Sequence, residues 1–182
     1  VRSTQIDHAD GGRTLLSIED VTHAKATEDQ LRHDALHDEL TGLPNRRLLL
    51  DRLERALLRS RRSGSRLAVY FLDLDDLKRV NDTHPWKHRA GDVLITTLAS
   101  AVRDALRDAD TLGRLGGDEF VVVLPGSNEE ESAAAMRRAL EASSHPWTWG
   151  IARWDAGESL WEAIDRGDRV LYDAKRRRRA AA

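Results

Sequence analysis

Hydrophobic residues follow two different patterns along this chain. Between residues 47 and 62 leucines recur every three or four positions, which predicts an amphipathic helix that ends at Ser63-Gly64. Residues 67–72 form instead an unbroken apolar run, typical of a strand buried on both faces, and the run stops at Asp73. The same two patterns predict further elements in this order: helices at about 75–80 and 91–106, strands at 111–115 and 119–124, a helix at 128–141, a strand at 147–154 and a helix at 158–179. The last helix is predicted to be interrupted near Gly167. Helices placed between strands in the order αβααββαβα predict an α/β sandwich.

A separate region precedes this pattern. Residues 13–20 suit a strand, and residues 22–37 suit a helix that links an upstream module to the rest of the chain. The cluster 38–46 contains glycine and proline, so the helix ends there. We therefore expect four parts: the end of an upstream module at 1–21, a linker helix at 22–37, a main domain at 38–179 and a tail at 180–182.

Composition excludes several classes of function. The 182 residues carry 29 Lys and Arg against 31 Asp and Glu, and a formal net charge of -2 gives no reason to expect a nucleic-acid partner. There is no cysteine, which excludes disulfides and thiolate metal sites and fits a cytoplasmic location. No apolar run approaches the length of a membrane span, so membrane insertion of this fragment is not expected. Because the sequence begins Val1-Arg2-Ser3, we expect it to be a piece of a longer protein.

Three acids occupy positions that suit chemistry. Asp73 ends the predicted buried strand, and Asp118 and Glu119 follow Gly116-Gly117 in a predicted hairpin. If the hairpin lies beside the central strand, the carboxylates of Asp73 and Asp118 converge and repel each other unless a hard cation lies between them. Magnesium there suits phosphoryl and nucleotidyl transfer. Taken singly, each acid also has a simpler explanation, as a turn residue or a helix cap.

Three longer stretches resemble the signatures of one family. They are residues 38–46 (DELTGLPNR), residues 71–83 (FLDLDDLKRVNDT) and residues 116–120 (GGDEF), the last preceded by Arg114. In this order they resemble GGDEF diguanylate cyclases, from Asp38 to about Arg179. The resemblance implies a palm-like nucleotidyl-cyclase sandwich, in which helices flank a central, mostly antiparallel sheet. It also implies that a homodimer condenses two GTP molecules into cyclic di-GMP and two pyrophosphates, with Mg²⁺ or Mn²⁺ as the cofactor.

The resemblance assigns metal and catalytic roles position by position. Asp73 and Asp118 match magnesium-binding acids, and the backbone carbonyl of Leu74 is implied as a further ligand. Glu119 matches an acid implicated in metal binding or in activating the attacking 3′-hydroxyl. We therefore expect Asp73, Leu74, Asp118 and Glu119 to form the metal site.

The resemblance also assigns the substrate contacts. Asn81 and Asp92 match residues that hydrogen-bond guanine, and an amide plus a carboxylate complements the mixed donors and acceptors of that base. Lys78, Lys175 and Arg179 match phosphate-binding cations. Lys175 and Arg179 lie four apart on a predicted helix and hence on one face, so both can reach one triphosphate.

Arg107 and Asp110 form an Arg-x-x-Asp pattern whose distance from the Gly-Gly turn resembles the family's product-inhibition site. A guanidinium can stack on guanine and bind phosphate, which suits cyclic di-GMP. A simpler explanation is an Arg-Asp pair at a helix end. We expect product inhibition at this pattern.

Nearby charged residues have structural explanations. Asp75 is expected to pair with Lys78 or Arg79 along a helix, and Arg176 to Arg178 are expected to form a solvated face.

The chain departs from the family pattern in several places. Residues 84–90 make the segment between Asn81 and Asp92 longer than usual, the segment 125–150 is short, and Arg178 stands where a glycine is common. These departures leave open an alternative, a catalytically weak module that binds GTP or cyclic di-GMP as a sensor. A third possibility is a cyclase that makes a mixed adenine-guanine dinucleotide. Asp92 at the base-reading position argues against it, because this residue favours guanine.

The N-terminal stretch, residues 12–22, resembles the last strand of a PAS sensor domain followed by a signalling helix.

Overall fold

The computed structural model describes residues 2–4, 17–19, 22–143, 145–153 and 159–181. The chain divides into two compact units, residues 1–35 and residues 36–182. In the first unit, β1 (Arg2–Thr4) pairs antiparallel with β2 (Ser17–Glu19), and the helix α1 (Thr22–Leu36) begins where the linker helix is predicted and has no buried residue. Most of the PAS-like stretch lies outside the described residues, so that resemblance stays a prediction.

The second unit contains the elements that the hydrophobic pattern predicts, in the predicted order. They are α2 (Arg46–Ser63), β3 (Leu67–Leu74), α3 (Leu77–Thr83), α4 (His88–Asp104), β4 (Thr111–Gly116), β5 (Glu119–Pro125), α5 (Glu129–Glu141), β6 (Trp147–Arg153) and α6 (Leu160–Ala181). The four strands form one sheet in the order β4-β5-β3-β6, and each neighbouring pair is antiparallel. The predicted α/β sandwich with a central antiparallel sheet is therefore confirmed.

The central strand β3 determines which side chains reach which layer. All eight of its residues are buried, as the unbroken apolar run predicts. Because side chains alternate along a strand, Tyr70 and Leu72 pack against α4 and α5, whereas Val69 and Phe71 pack against α2 and α6. The same alternation directs Asp73 to the face that α2 and α6 cover, at the end of the strand.

Local signals fix the ends of the helices. The Asn45 side chain accepts hydrogen bonds from the backbone N–H groups of Arg47 and Leu48 at the start of α2, and Gly64 ends that helix at a left-handed φ of 66°. At the start of α5, Asn128 and Glu131 form a capping box. These caps define where α2 and α5 begin, and the two helices cover opposite faces of the sheet.

The predicted interruption of the last helix near Gly167 is wrong, because α6 runs continuously through this residue. A Cβ atom at Gly167 would lie 1.9 Å from Cε2 of Phe71, so the glycine permits close packing of α6 on β3 instead of ending the helix. This close approach brings the C-terminal half of α6 to the acidic end of the sheet. Among the helices within the described ranges, none is both long and apolar enough to cross a bilayer.

Candidate active site

The predicted acids lie together at one end of the sheet. Asp73 on β3 is the direct antiparallel partner of Glu119 on β5 and of Thr148 on β6. Directly opposed residues point to the same face, so the carboxylates of Asp73 and Glu119 share one surface. Asp118 adjoins them in the Gly116-Gly117 turn, where its carbonyl accepts a hydrogen bond of 3.0 Å from the backbone N–H of Leu74.

Asp73 is held in an unfavourable environment for an anion. Its residue is only 6% exposed, and burial raises its pKa above the ordinary value of 3.8. The charges of Asp118 and Glu119 raise the pKa of Asp73 further. Lys175 opposes this effect, because its Nζ lies 2.6 Å from Oδ2 of Asp73. The site therefore concentrates negative charge and balances it with one ammonium group.

This arrangement fits a magnesium ion whose remaining ligands are water and phosphate oxygens. No group of three or more His, Asp or Glu side chains within the described residues is gathered tightly enough to hold a metal alone. Mg²⁺ is usually bound by one or two carboxylates together with water and phosphate oxygens, so a complete protein cage is not required. The all-oxygen donor set and the repulsion at buried Asp73 both favour such a hard cation.

A cleft of about 770 Å³ opens beside the acids. It is lined by residues from β3, the β4–β5 turn, β6, α3, α6 and the loop before α3: Asp73, Leu74, Asp75, Asp76, Leu77, Lys78, Arg79, Asp82, Thr83, Asp118, Thr148, Lys175 and Arg178. The structure thus brings two of the predicted phosphate-binding cations, Lys78 and Lys175, into one cleft with three of the four predicted metal ligands, whereas Glu119 lines another pocket that also includes Lys175. Arg179 lies in α6, and its side chain is outside the described residues.

Asn81, one of the two predicted base-binding residues, lies where α3 packs on α4. Oδ1 of Asn81 is buried and has no hydrogen-bond partner within the described part of the chain. It lies against Gly91, at which an added Cβ would be only 2.2 Å from this oxygen. Asp92 follows Gly91 directly and is exposed. The close packing at Gly91 therefore brings Asn81 to the start of α4, beside the predicted second base contact.

Sequence reasoning missed the contact that holds the Gly-Gly turn. Nε and Nη2 of Arg114 donate to the carbonyl of Gly117, at 3.1 and 2.7 Å. Nη1 donates to both carboxylate oxygens of Asp38, at 2.9 and 3.1 Å. Both residues belong to the family-like stretches, but their pairing spans 76 positions, and no local pattern indicates it.

The Asp38 carboxylate is well stabilised in this contact. Burial acts to raise its pKa, but the hydrogen bonds from Thr41 and Arg114 outweigh burial and hold the pKa below 3.8. The Arg114 side chain is only 10% exposed. The contact therefore fixes the turn that presents Asp118 and Glu119.

Two structural expectations for charged residues are wrong. Asp75 does not pair with Lys78 or Arg79 but forms an ion pair with Arg178, whereas Arg79 pairs with Asp76. The expectation that Arg178 belongs to a solvated face is therefore wrong. The expectation fails because α6 packs its last turns on the end of β3, a contact that helical periodicity does not reveal.

The Arg107–Asp110 pattern forms a turn between α4 and β4. Oδ2 of Asp110 accepts a hydrogen bond of 3.0 Å from the backbone N–H of Arg107, and the side chain of Arg107 is exposed. Beside this turn is a cleft of about 570 Å³. Its lining includes Asp108 and Ala109 of the turn and four arginines, namely Arg52, Arg55, Arg59 and Arg66.

Comparisons with known proteins agree with this geometry. The family model described as "Diguanylate cyclase, GGDEF domain" matches residues 35–181. The diguanylate cyclase DgcP of Pseudomonas aeruginosa is 38% identical over 161 residues, which are 82% of this chain and 24% of DgcP. The diguanylate cyclase TpbB of the same organism is 36% identical over 165 residues, covering 83% of this chain and 38% of TpbB.

Solved structures show the same likeness. The coiled coil and GGDEF domain of DgcB from Caulobacter crescentus, in complex with c-di-GMP, has a TM-score of 0.78 and 29% sequence identity, over 86% of this chain and 88% of that chain. The diguanylate cyclase SiaD from Pseudomonas aeruginosa, in complex with its activator SiaC, has a TM-score of 0.75 and 33% identity, over 85% of this chain and 64% of that chain. The chain spans only 22–24% of the length of three of the curated relatives that it matches.

Proposed function

Because the chain belongs to the GGDEF family of diguanylate cyclases, we propose that it condenses two GTP molecules into cyclic di-GMP and two pyrophosphates. The observation that carries this proposal is the direct pairing of Asp73 with Glu119, next to Asp118 and to a cleft lined by Lys78 and Lys175. Clustered carboxylates beside a cation-lined cleft are what transfer of a nucleotidyl group needs.

Magnesium, or manganese in its place, would be held by Asp73, Asp118 and Glu119, with the Leu74 carbonyl as a further ligand. When bound, it neutralises charge on the triphosphate and polarises the phosphoryl group. Lys175 balances the charge of Asp73 in the absence of metal, and a metal in that role would leave its ammonium available to phosphate oxygens.

Two copies of the chain each bind one GTP and face each other across a two-fold axis. The 3′-oxygen of one GTP attacks the α-phosphorus of the other, a new P–O bond forms, and the bond to the β-phosphate breaks to release pyrophosphate. The proton of the 3′-hydroxyl passes to a carboxylate, for which Glu119 is the candidate. Lys78, Lys175 and Arg179 stabilise the charge that develops on the leaving group.

Guanine binds where α3 meets α4. Because Oδ1 of Asn81 is buried against Gly91, the amide nitrogen is the part of this side chain that can donate to an acceptor on the base. The Asp92 carboxylate accepts from the ring N–H and amino groups of guanine. Adenine offers an acceptor at the corresponding ring position, so a carboxylate there disfavours ATP.

Product inhibition is the proposed role of Arg107 and Asp110. The cleft next to their turn is rich in arginine, and cyclic di-GMP presents two phosphates and two guanines for guanidinium groups to bind. The relative DgcB has been solved with c-di-GMP bound, which supports a product site in this fold. Arg107→Ala should remove inhibition by added cyclic di-GMP without lowering the initial rate.

The longer segment between Asn81 and Asp92 supports the sensor alternative. Within it, Lys87 has a positive φ of 44°, a rare conformation for a residue other than glycine, and Trp86 is 69% exposed. A changed base pocket could bind nucleotide without turnover.

The deciding experiment incubates the purified chain with Mg²⁺ and GTP, ATP or both, and separates the products by chromatography. Cyclic di-GMP from GTP alone, lost in Asp118→Ala but retained in the control Asp104→Ala on the exposed end of α4, supports the cyclase. A mixed dinucleotide from GTP plus ATP would identify the other cyclase, and nucleotide binding without product by a folded dimer would identify the sensor.

A further inference from the structure

Two ion pairs connect α6 to the end of β3. Lys175 pairs with Asp73, and Arg178 pairs with Asp75. The two cations are three residues apart on a helix and therefore lie on one face. Asp73 lies in the last part of β3 and Asp75 is the first residue of the turn that follows this strand, so both acids lie at the same end of the sheet. The pairs thus form consecutive links between the same two elements.

The link at Asp75 is part of a closed hydrogen-bonded network. Nη1 of Arg178 also donates to Oγ1 of Thr148 at 3.3 Å, and Thr148 donates to Oδ1 of Asp75 at 2.6 Å. The backbone of Asp75 is held too, by Pro146 at 3.3 Å and by Nε2 of His145 at 2.9 Å. The side chain of Asp75 is only 12% exposed, so its charge depends on the Arg178 guanidinium.

The link at Asp73 cannot serve as a permanent attachment under the proposed function. A metal bound at Asp73 would replace Lys175 there, and the released ammonium would be available to bind phosphate. Asp75 is not among the proposed metal ligands, so the Arg178 link persists through that exchange. It also adjoins Asp76, which has a left-handed φ of 59° that a residue other than glycine keeps only when its surroundings hold it.

We propose that Arg178 is a positioning residue that fastens α6 to the β3–α3 loop through Asp75, so that Lys175 can exchange partners without α6 moving. The hydrogen-bonded network around Asp75 supports the attachment of α6, whereas the consequence for Lys175 rests on the proposed function. Arg178 acts through Asp75 and does not itself bind phosphate, because its guanidinium is committed to Asp75 and Thr148.

One experiment measures the attachment without nucleotide. Amide hydrogen exchange is compared in the full chain, in Arg178→Met and in the matched control Arg176→Met, which removes an exposed charge from the same turn of α6. We expect exchange over residues 74–80 to accelerate about tenfold in Arg178→Met and to stay unchanged in the control. Arg178→Lys should restore part of the protection. Unchanged exchange in Arg178→Met would overturn the proposal.

A second experiment tests whether the attachment matters for phosphate binding by Lys175. It measures the affinity of the chain for a non-hydrolysable GTP analogue and for GMP in the presence of Mg²⁺. Arg178→Met should weaken the analogue about tenfold and leave GMP unaffected, because GMP lacks the phosphates that Lys175 binds. In an Asp75→Asn background, Arg178→Met should not weaken binding of the analogue any further. An equal loss of affinity in that background would overturn the proposal, because it would show that Arg178 binds phosphate directly. If the parent chain binds no GTP analogue, the proposed function fails, while the exchange data still decide whether Arg178 is the attachment.

Discussion

Replacing Gly91 by alanine should separate base recognition from stability. The new Cβ would lie 2.2 Å from Oδ1 and 3.0 Å from Cγ of Asn81, and 3.1 Å from Cδ1 of Leu77. A carbon-oxygen contact is normally about 3.3 Å or longer, so the Asn81 oxygen must move by about 1 Å. Because Asn81 is only half-buried as a residue, its side chain can rotate away from Gly91 while the helix stays in place.

The two expected effects have opposite signs. In a helix, alanine is favoured over glycine by up to about 1 kcal/mol, so the free energy of unfolding should stay constant or rise slightly. Displacing Asn81 should remove the proposed hydrogen bond to the base, which is worth about 1–1.5 kcal/mol, and should weaken GTP binding about tenfold. The KM for GTP should therefore rise about tenfold while the melting temperature does not fall.

The assay combines GTP titration of cyclic di-GMP synthesis with chemical denaturation. Asn81→Ala should raise the KM by a similar factor, and in that background Gly91→Ala should have no further effect, because its target is gone. The reasoning is refuted if Gly91→Ala raises the KM equally in both backgrounds, or if it lowers stability by several kcal/mol.

Three further substitutions test the fold and the acidic site. Asp73→Asn should abolish synthesis yet raise stability at pH 7, because burial raises the pKa of Asp73 and so disfavours its ionised form in the folded state. Since the folded pKa of Asp73 lies above the unfolded one, ionisation of this group lowers stability as pH rises above 3.8, and pH-dependent denaturation should show that the stability difference between variant and parent widens over that range. Arg114→Met removes the cationic partner of Asp38 and should cost about 3 kcal/mol in urea denaturation, with unchanged stability contradicting the contact. Gly167→Ala would drive a methyl group into the ring of Phe71 and should lower stability by about 3 kcal/mol, and a normal melting temperature would disprove the close packing of α6.

Local patterns determined the elements and their order. The buried run 67–72 and the leucine spacing in 47–62 record which faces are covered, and each pattern depends only on neighbours in the chain. The family-like stretches likewise indicated Asp73, Asp118 and Glu119, because each lies within a short conspicuous segment. What periodicity could not show was whether Gly167 ends a helix or permits its packing, since that depends on Phe71 across the interface.

The tertiary structure alone decided which charges meet. Register places Asp73 opposite Glu119, and no local rule specifies the residue that faces a given position on another strand. The same holds for Lys175 with Asp73, Arg178 with Asp75, and Arg114 with Asp38, since each pair joins distant parts of the chain. A sequence records which residues can be charged or buried, whereas pairing energies depend on distance and burial, which exist only once the sheet and α6 have packed.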